Sequence, residues 1–353
     1  MKFSSKALKC GLSPMRKFHP YAVAAEARGK KIYHLNIGQP DIETPKAYFE
    51  AVRHFDLPVL AYAPSPGIPE LIAAIRKYYD DLGMHFETGD ILITNGGSEA
   101  LQITMNCILD DGDEILIPEP FYPNYNTMAY TCGASIHPIP TSPHDGYHYA
   151  DRAKVEAEIN EHTRAIMVTN PGNPTGTMMD REHLEGLARF CCRHDLLVLA
   201  DEAYEQILYD GNRHISIAAL PGMWERTVTV QSFSKTYSMC GWRIGYIAAP
   251  VDLIRVIVRA HQTIAMNACA FGQMGALEAL EGPQDSLHQM LREFDRRRLL
   301  LYNGLQELGI PCSRPRAAFY LFPDISEFGM DSFAFAELLL EQYGVATVPG
   351  VEF

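Results

Sequence analysis

The sequence predicts an α/β protein: a mainly parallel sheet covered by helices on both faces, joined to a smaller α+β domain. Three observations carry this. Short apolar runs at 91–94, 114–117, 165–169, 196–200, 227–231 and 245–249 have the length and composition of buried strands. Helical patterns, such as those at 98–109 and 181–194, stand between several of these runs, and that alternation builds parallel sheets with helices on both sides. The residues able to do chemistry fall just beyond the runs or in the next loop, where open α/β sheets gather ligands.

Taken in order, residues 1–45 form an N-terminal arm and the start of the small domain, and a helix is expected over 52–81. The run Ile91-Leu92-Ile93-Thr94 is followed by Gly96-Gly97-Ser98-Glu99 and then by the helix at 98–109. Strand, glycine turn and helix in that order present backbone N–H groups to an anion. The large domain spans 46–284. From 285 to 308 the pattern is one long helix with Arg292-Glu293-Phe294-Asp295-Arg296-Arg297-Arg298 at its middle, a bridge into the small domain of 285–353. That domain continues through a strand at 318–323 and a helix at 333–343. It lacks its expected last elements, so the chain reads as a truncated one.

Composition narrows the function classes. At 353 residues and 47% hydrophobic, the chain is long enough for two domains with a large core. A net charge of -13 argues against nucleic-acid and anionic-membrane partners, so any phosphate site has to be local. No apolar run approaches the roughly 20 residues needed to span a bilayer, and residues 1–12 lack the apolar centre of a secretion signal. The expected location is the cytoplasm. Eight cysteines without zinc-like spacing read as reduced thiols, and no metal is expected.

The most informative residues are Lys235 in Ser232-Phe233-Ser234-Lys235 and Arg243 in Gly241-Trp242-Arg243-Ile244-Gly245. One amine able to form an imine and one guanidinium able to grip a phosphate suit an aldehyde cofactor held covalently. Pyridoxal phosphate needs an imine-forming lysine, an acid at the ring nitrogen, donors to the ring oxygen and an anion cradle. Lys235 is the candidate Schiff-base lysine, though alone it also reads as a loop lysine. Asp201, at the end of a buried strand, suits the ring nitrogen because a buried carboxylate requires a cation; helix N-capping is its other reading. Asn173, between two prolines, and Tyr204, one turn after Asp201, can donate to the ring oxygen. The plainer readings are a turn residue and a packed tyrosine.

The blocks Gly96-Gly97-Ser98-Glu99-Ala100, Asn170-Pro171-Gly172-Asn173-Pro174-Thr175-Gly176-Thr177, Ala200-Asp201-Glu202-Ala203-Tyr204 and the segment 232–245 resemble those of the class I/II aminotransferases, fold-type I pyridoxal-phosphate enzymes. Asn36-Ile37-Gly38-Gln39-Pro40-Asp41 and the segment 62–71 extend the likeness over nearly the whole chain. The resemblance implies that Gly97, Ser98 and Glu99 lie at the cofactor phosphate with Ser232, Ser234 and Arg243. It implies that Tyr122 stacks on the pyridine ring and that Gly38 and Asn173 meet substrate. Tyr62 matches a tyrosine reaching the phosphate of a neighbouring subunit, which implies a homodimer with shared active sites. Lys235 would then move the α-proton, Asp201 would hold the ring nitrogen charged, and the reaction would be ping-pong between an amino acid and a 2-oxo acid.

The likeness is greatest to aspartate aminotransferases, which makes aspartate the first donor to expect and 2-oxoglutarate its partner. A carbon-sulfur β-lyase is the alternative enzyme on this fold. A cofactor-sensing regulator would need a basic helix-turn-helix module, and none precedes Asn36. Two departures stand out. The family carries a carboxylate-clamping arginine some way beyond a turn matching Pro349-Gly350, and Arg314 and Arg316 read instead as solvated loop charges. Ala317-Ala318 stands where relatives often have a glycine.

Overall fold

The computed structural model describes residues 2–11, 14–54, 58–149 and 152–353. Its strands among these residues are, in chain order, β1 (Tyr33–His34), β2 (Ile91–Thr94), β3 (Glu114–Glu119), β4 (Ser135–Pro140), β5 (Thr163–Thr169), β6 (Leu197–Asp201), β7 (Thr227–Ser232), β8 (Gly245–Ala248) and β9 (Val345–Ala346). Seven of them form one sheet in the order β2-β8-β7-β6-β5-β3-β4. β8 runs antiparallel to both its neighbours and every other pairing is parallel. The expected mainly parallel sheet is therefore present.

Alternation along the strands explains its two covered faces. Ile115, Ile117, Ala165, Met167 and Leu199 pack into a core with Ile103, Met105 and Tyr125, whereas Leu116, Ile166, Val168, Val198 and Ala200 pack with Leu184, Leu187 and Phe190. The register is what assembles the site. Thr169 pairs with Asp201, Asp201 with Val230, Ser232 with Gly245, and Gly245 with Thr94, so all these strand ends lie along one edge of the sheet.

The structure corrects the sequence reading in several elements. The helix expected over 52–81 is two, Lys46–Arg53 and Pro69–Asp81, with residues 55–57 outside those described. Between them Pro58, Pro64 and Pro66 remove backbone donors, Gly67 takes φ +125°, and Pro69 starts the second helix at its first turn. The strand β4 was not anticipated. The strand expected at 318–323 is absent: Ala318 turns the chain at φ +56°, and its N–H goes to Ile207 O at 2.8 Å rather than to a ladder. Glycine takes such a backbone conformation most readily, and here an alanine holds the left-handed turn. The last helix changes from α over Ser332–Leu338 to a wider π turn over Leu339–Tyr343.

The long helix Asp285–Glu307 is present and buries Leu287, Met290, Phe294 and Arg298. Arg298 is 4% exposed and is tied to Asp210, Asp295 and Pro315 O. β1 and β9 pair with each other, and beside them Phe18 and Ala22 pack on Ala336, Leu340 and Ala346. No helix among the described residues is long and apolar enough to cross a membrane.

Candidate active site

Lys235 sits in a single turn of helix, Phe233–Thr236, that begins as β7 ends. Ser232 Oγ caps it by accepting from Ser234 N at 3.2 Å. This short turn aims the lysine into the cleft, where Nζ donates to Gly38 O and lies 4.0 Å from Cys240 Sγ. Burial pushes the amine's pKa below the usual lysine range, Arg243 adds to that, and Cys240 and Asp201 oppose it. The shift is in the direction that eases formation of the nucleophilic free amine.

Asp201 ends β6 on the same edge. Protein surrounds it on most sides, yet solvent still reaches it through the cleft. Tyr125 OH donates to Asp201 Oδ2 at 2.7 Å and Ala203 N donates to Oδ1 at 3.2 Å. Tyr125 OH also lies 3.0 Å from Thr169 Oγ1, which is left to act as donor in that contact. Burial nonetheless holds the carboxyl above the usual aspartate range, against the opposing pull of Tyr125, Ala203 and the more distant Lys235, and no lysine or arginine forms an ion pair with it among the described residues. A cationic ring nitrogen is the kind of partner this carboxylate lacks.

The anion cradle is built from three chain segments. Gly96, at φ +84°, precedes the helix Gly97–Ile108, and a Cβ there would stand 2.5 Å from the Arg243 guanidinium. A Cβ on Gly97 would stand 3.5 Å from Ser232 Cβ, and one on Gly245 would meet Gln231 O at 2.6 Å and Gly97 N at 2.8 Å. Backbone, serine and guanidinium thus converge on a helix N-terminus. Arg243 donates to the Cys240 and Asn95 carbonyls at 3.2 and 3.5 Å and pairs with no carboxylate among the described residues. Ser98 is exposed in the first helical turn. Glu99 departs from its expected part in the cradle: its carboxylate accepts from Asn95 N and lies 3.7 Å from the buried His261, leaving only its backbone N–H for an anion.

Tyr122 lies between the two charged ends of this cleft. Burial raises its pKa first, then Asp201 raises and Arg243 lowers it, and its ring meets Tyr125 edge-on at 5.4 Å. Tyr204 OH hydrogen-bonds Tyr320 OH, to which Asn173 Nδ2 donates at 3.5 Å. Gly38 is packed against the same tyrosine, since a Cβ there would stand 2.6 Å from Tyr320 OH. Beside Lys235 opens a cavity of about 720 Å³ lined by Gln39, Ile42, Phe49, Cys240 and Trp242.

Lys235, Asp201, Tyr204, Asn173, Tyr122, Gly38, Gly97, Ser232, Ser234 and Arg243 therefore come together. Tyr62 does not: it is 83% exposed and turned to solvent. Arg314 pairs with Asp210 at 3.1 Å, and Arg316, expected to be solvated, is half-buried, donating to Asn212 Oδ1 at 2.6 Å and Met178 O at 3.4 Å. Both are occupied in holding loops together. Tyr125 and Tyr320 were missed by the sequence reading. For Tyr125 a signal existed, three residues after Tyr122, but only the packing of its helix on β4 and on the helix Gly97–Ile108 brings it to Asp201.

The residues fit pyridoxal phosphate. An unpaired arginine at a glycine-lined helix start suits a phosphate, a carboxylate without an ion-pair partner suits a pyridinium, and a lysine of lowered pKa stands between them. Fold and site together define a pyridoxal-phosphate enzyme of the α/β type. The pattern of the family "Aminotransferase class I and II" matches residues 30–353. The chain is 36% identical to an aspartate aminotransferase of Pyrococcus abyssi, over 92% of this chain and 84% of that one. It is 35% identical to aromatic-amino-acid aminotransferase 2 of Thermococcus litoralis, over 100% and 91%. Its fold superposes on a double mutant of Thermus thermophilus aspartate aminotransferase with a TM-score of 0.92 at 33% identity, covering 100% of this chain and 92% of that one. The chain belongs to the class I/II aminotransferases, enzymes acting on amino acids and 2-oxo acids with a cofactor the family implies to be pyridoxal phosphate.

Proposed function

We propose that this aminotransferase moves the amino group of L-aspartate to 2-oxoglutarate, with Lys235 as the proton-transferring base. One observation carries the reading: a half-buried amine whose pKa burial lowers lies in the same cleft as a carboxylate that forms no ion pair and an arginine that lacks an anion among the described residues. Pyridoxal phosphate, when bound, supplies the electron sink for the carbanion left by loss of the α-proton. Gly97, Ser98, Ser232, Ser234 and Arg243 would hold its phosphate, Asp201 its ring nitrogen, Asn173 and Tyr204 its ring oxygen, and Tyr122 its ring face.

Each side chain has a physical task. Lys235 Nζ accepts the α-proton, and burial, by lowering its pKa, makes the free amine easier to reach. Asp201 would hold a positive charge at the ring nitrogen, and Tyr125 OH and Ala203 N favour the ionised carboxylate and aim it. Gly38, adjoining both Lys235 and Tyr320, borders the place where substrate enters. The exposed Tyr62 supports a homodimer in which this tyrosine completes the phosphate site of the second subunit. The division into 1–45, 46–284 and 285–353 is our reading of the domains, and a cytoplasmic location our reading of the composition.

The aspartate preference is supported by the Pyrococcus abyssi relative, and the Thermococcus litoralis one at 35% identity names the competitor. Measuring kcat/KM for aspartate, tyrosine and phenylalanine with 2-oxoglutarate decides between them: an aromatic donor preferred by tenfold or more overturns the aspartate assignment. Release of pyruvate and ammonia from cystathionine at a comparable rate would instead make the protein a lyase. Lys235→Ala is expected to lose both turnover and the borohydride-reducible adduct at that position. Undiminished transamination by this variant rules Lys235 out as the base.

A further inference from the structure

Behind Asp201, on the far side of its turn, three buried titratable groups stand together. Glu202 N donates to Val230 O at 3.0 Å, so the extended backbone runs one residue past β6 and alternation sends the Glu202 side chain away from that of Asp201. Glu202 is 2% and Glu205 8% exposed, and their carboxylates and a His214 ring nitrogen all lie within 4.8 Å of one another. His214 Nε2 stands 3.1 Å from Glu202 Oε2, without the alignment of a hydrogen bond. Glu202 Oε2 and both nitrogens of His214 thus stay buried without an aligned partner.

Among the described residues the surroundings supply no other cation to the two carboxylates. Tyr78 OH donates to Glu205 Oε1 at 2.7 Å and itself accepts from Gln206 Nε2. The remaining titratable or polar groups facing the cluster are Tyr79 from the helix Pro69–Asp81, Tyr246 from β8, Gln231 from β7, Asp201, and Tyr237, two residues beyond Lys235. Neither carboxylate forms an ion pair with a lysine or arginine among the described residues.

Charge has to balance within the cluster. Two carboxylates and one imidazole become neutral only when they share two protons. Burial works against a protonated His214, but Glu202 and then Glu205 overcome it and favour the imidazolium. Burial pushes Glu205 up to about 7, with His214 opposing, so the second proton rests there at mildly acid pH. Loss of that proton places a net negative charge behind Asp201, where Glu202 already favours the protonated acid, and beside Tyr237 on the Lys235 turn.

We propose that Glu202, Glu205 and His214 are positioning residues for transamination: a buried two-proton cluster backing Asp201, in which Glu205 releases and regains the proton that sets the charge felt at Asp201. The proposal rests on the role given to Asp201 above. Two readouts separate its failure from the failure of that reading. In apoprotein labelled with ¹³C at glutamate carboxyls, one buried carboxyl is expected to titrate near pH 7, and to be missing in Glu205→Gln. In the holoenzyme, the absorbance of the cofactor bound to Lys235 is expected to show an inflection in the same region, which Glu205→Gln removes while keeping the reducible adduct. Glu202→Gln, which leaves His214 without its nearest carboxylate, should displace the same inflection.

No carboxyl titrating between about pH 6 and 8 in wild-type apoprotein, or the same titration persisting in Glu205→Gln, overturns the cluster. So does a stoichiometric metal ion in the purified protein, which would make the three residues ligands instead. A carboxyl that titrates as expected while the chromophore ignores it overturns the coupling to Asp201. A wild-type protein with no reducible adduct at Lys235 overturns the active-site reading itself, and the positioning role falls with it.

Discussion

Removing one oxygen atom, in Tyr125→Phe, tests whether Asp201 works as a charge held in place by its neighbours. Tyr125 is fully buried, and its ring packs on Phe121 at 6.3 Å and Tyr122 at 5.4 Å. Phenylalanine keeps those contacts, so the fold should survive. What disappears is a hydrogen bond of 2.7 Å to Asp201 Oδ2. A bond to a charged acceptor is worth about 1.5–3 kcal/mol. Its loss should therefore raise the Asp201 carboxyl further. If Asp201 keeps its charge into the transition state, the same energy corresponds to a fall in kcat/KM of about 10- to 150-fold. Thr169 Oγ1, freed from Tyr125, can partly substitute, which places the expectation near the lower end. The assay is kcat/KM for aspartate and its α-deuterated form across pH, with circular dichroism to confirm folding. The loss should come with a larger isotope effect as proton abstraction becomes rate-limiting. A folded variant within twofold of wild type at every pH refutes the role given to Asp201.

Gly245→Ala forces a Cβ to within 2.6 Å of Gln231 O and 2.8 Å of Gly96 C, both backbone atoms, so β8 and the cradle must part. Expected are a destabilisation of about 1–3 kcal/mol and at least about tenfold weaker retention of pyridoxal phosphate, read by equilibrium dialysis; unchanged retention refutes the cradle. Arg298→Met leaves Asp210, Asp295 and Pro315 O without a buried partner and removes a guanidinium 4.5 Å over the Tyr209 ring. Because both carboxylates keep 39% side-chain exposure, the loss should fall near the lower end of about 3–5 kcal/mol in urea unfolding, and a change under about 1 kcal/mol contradicts it. Glu205, raised from 4.5 to about 7 in the fold, adds stability that is complete below 4.5 and gone above about pH 7, with a ceiling of about 3 kcal/mol. The stability of Glu205→Gln relative to wild type should therefore climb as pH rises through that window, and a flat difference refutes the raised pKa.

What the sequence revealed and what it hid follow from how each feature is encoded. The strands β2, β3, β5, β6, β7 and β8 are legible because both their faces are buried, which forces continuous apolar runs. β4 carries His137, Pro138 and Pro140 at the sheet edge, where proline is tolerated and the apolar signal lapses. Lys235, Asp201, Asn173 and Arg243 stand at strand ends within short motifs, so local sequence announces them. Tyr320 lies 116 residues from Tyr204, and only the left-handed turn at Ala318 brings the two hydroxyls together.

The cluster behind Asp201 falls between these cases. Asp201-Glu202-Ala203-Tyr204-Glu205 places three acids within five residues directly after a fully apolar strand, with no basic residue nearby in the chain. Carboxylates so placed must be solvated, paired or protonated, and a strand buried on both faces leaves little room for the first. The sequence therefore held evidence that Glu202 and Glu205 required a partner. His214 and the Tyr78 hydroxyl, delivered by a separate loop and helix, are what the fold supplies. A site built to keep one carboxylate ionised toward its cofactor has to control the protons on the two carboxylates beside it, because like charges this close raise one another's proton affinity.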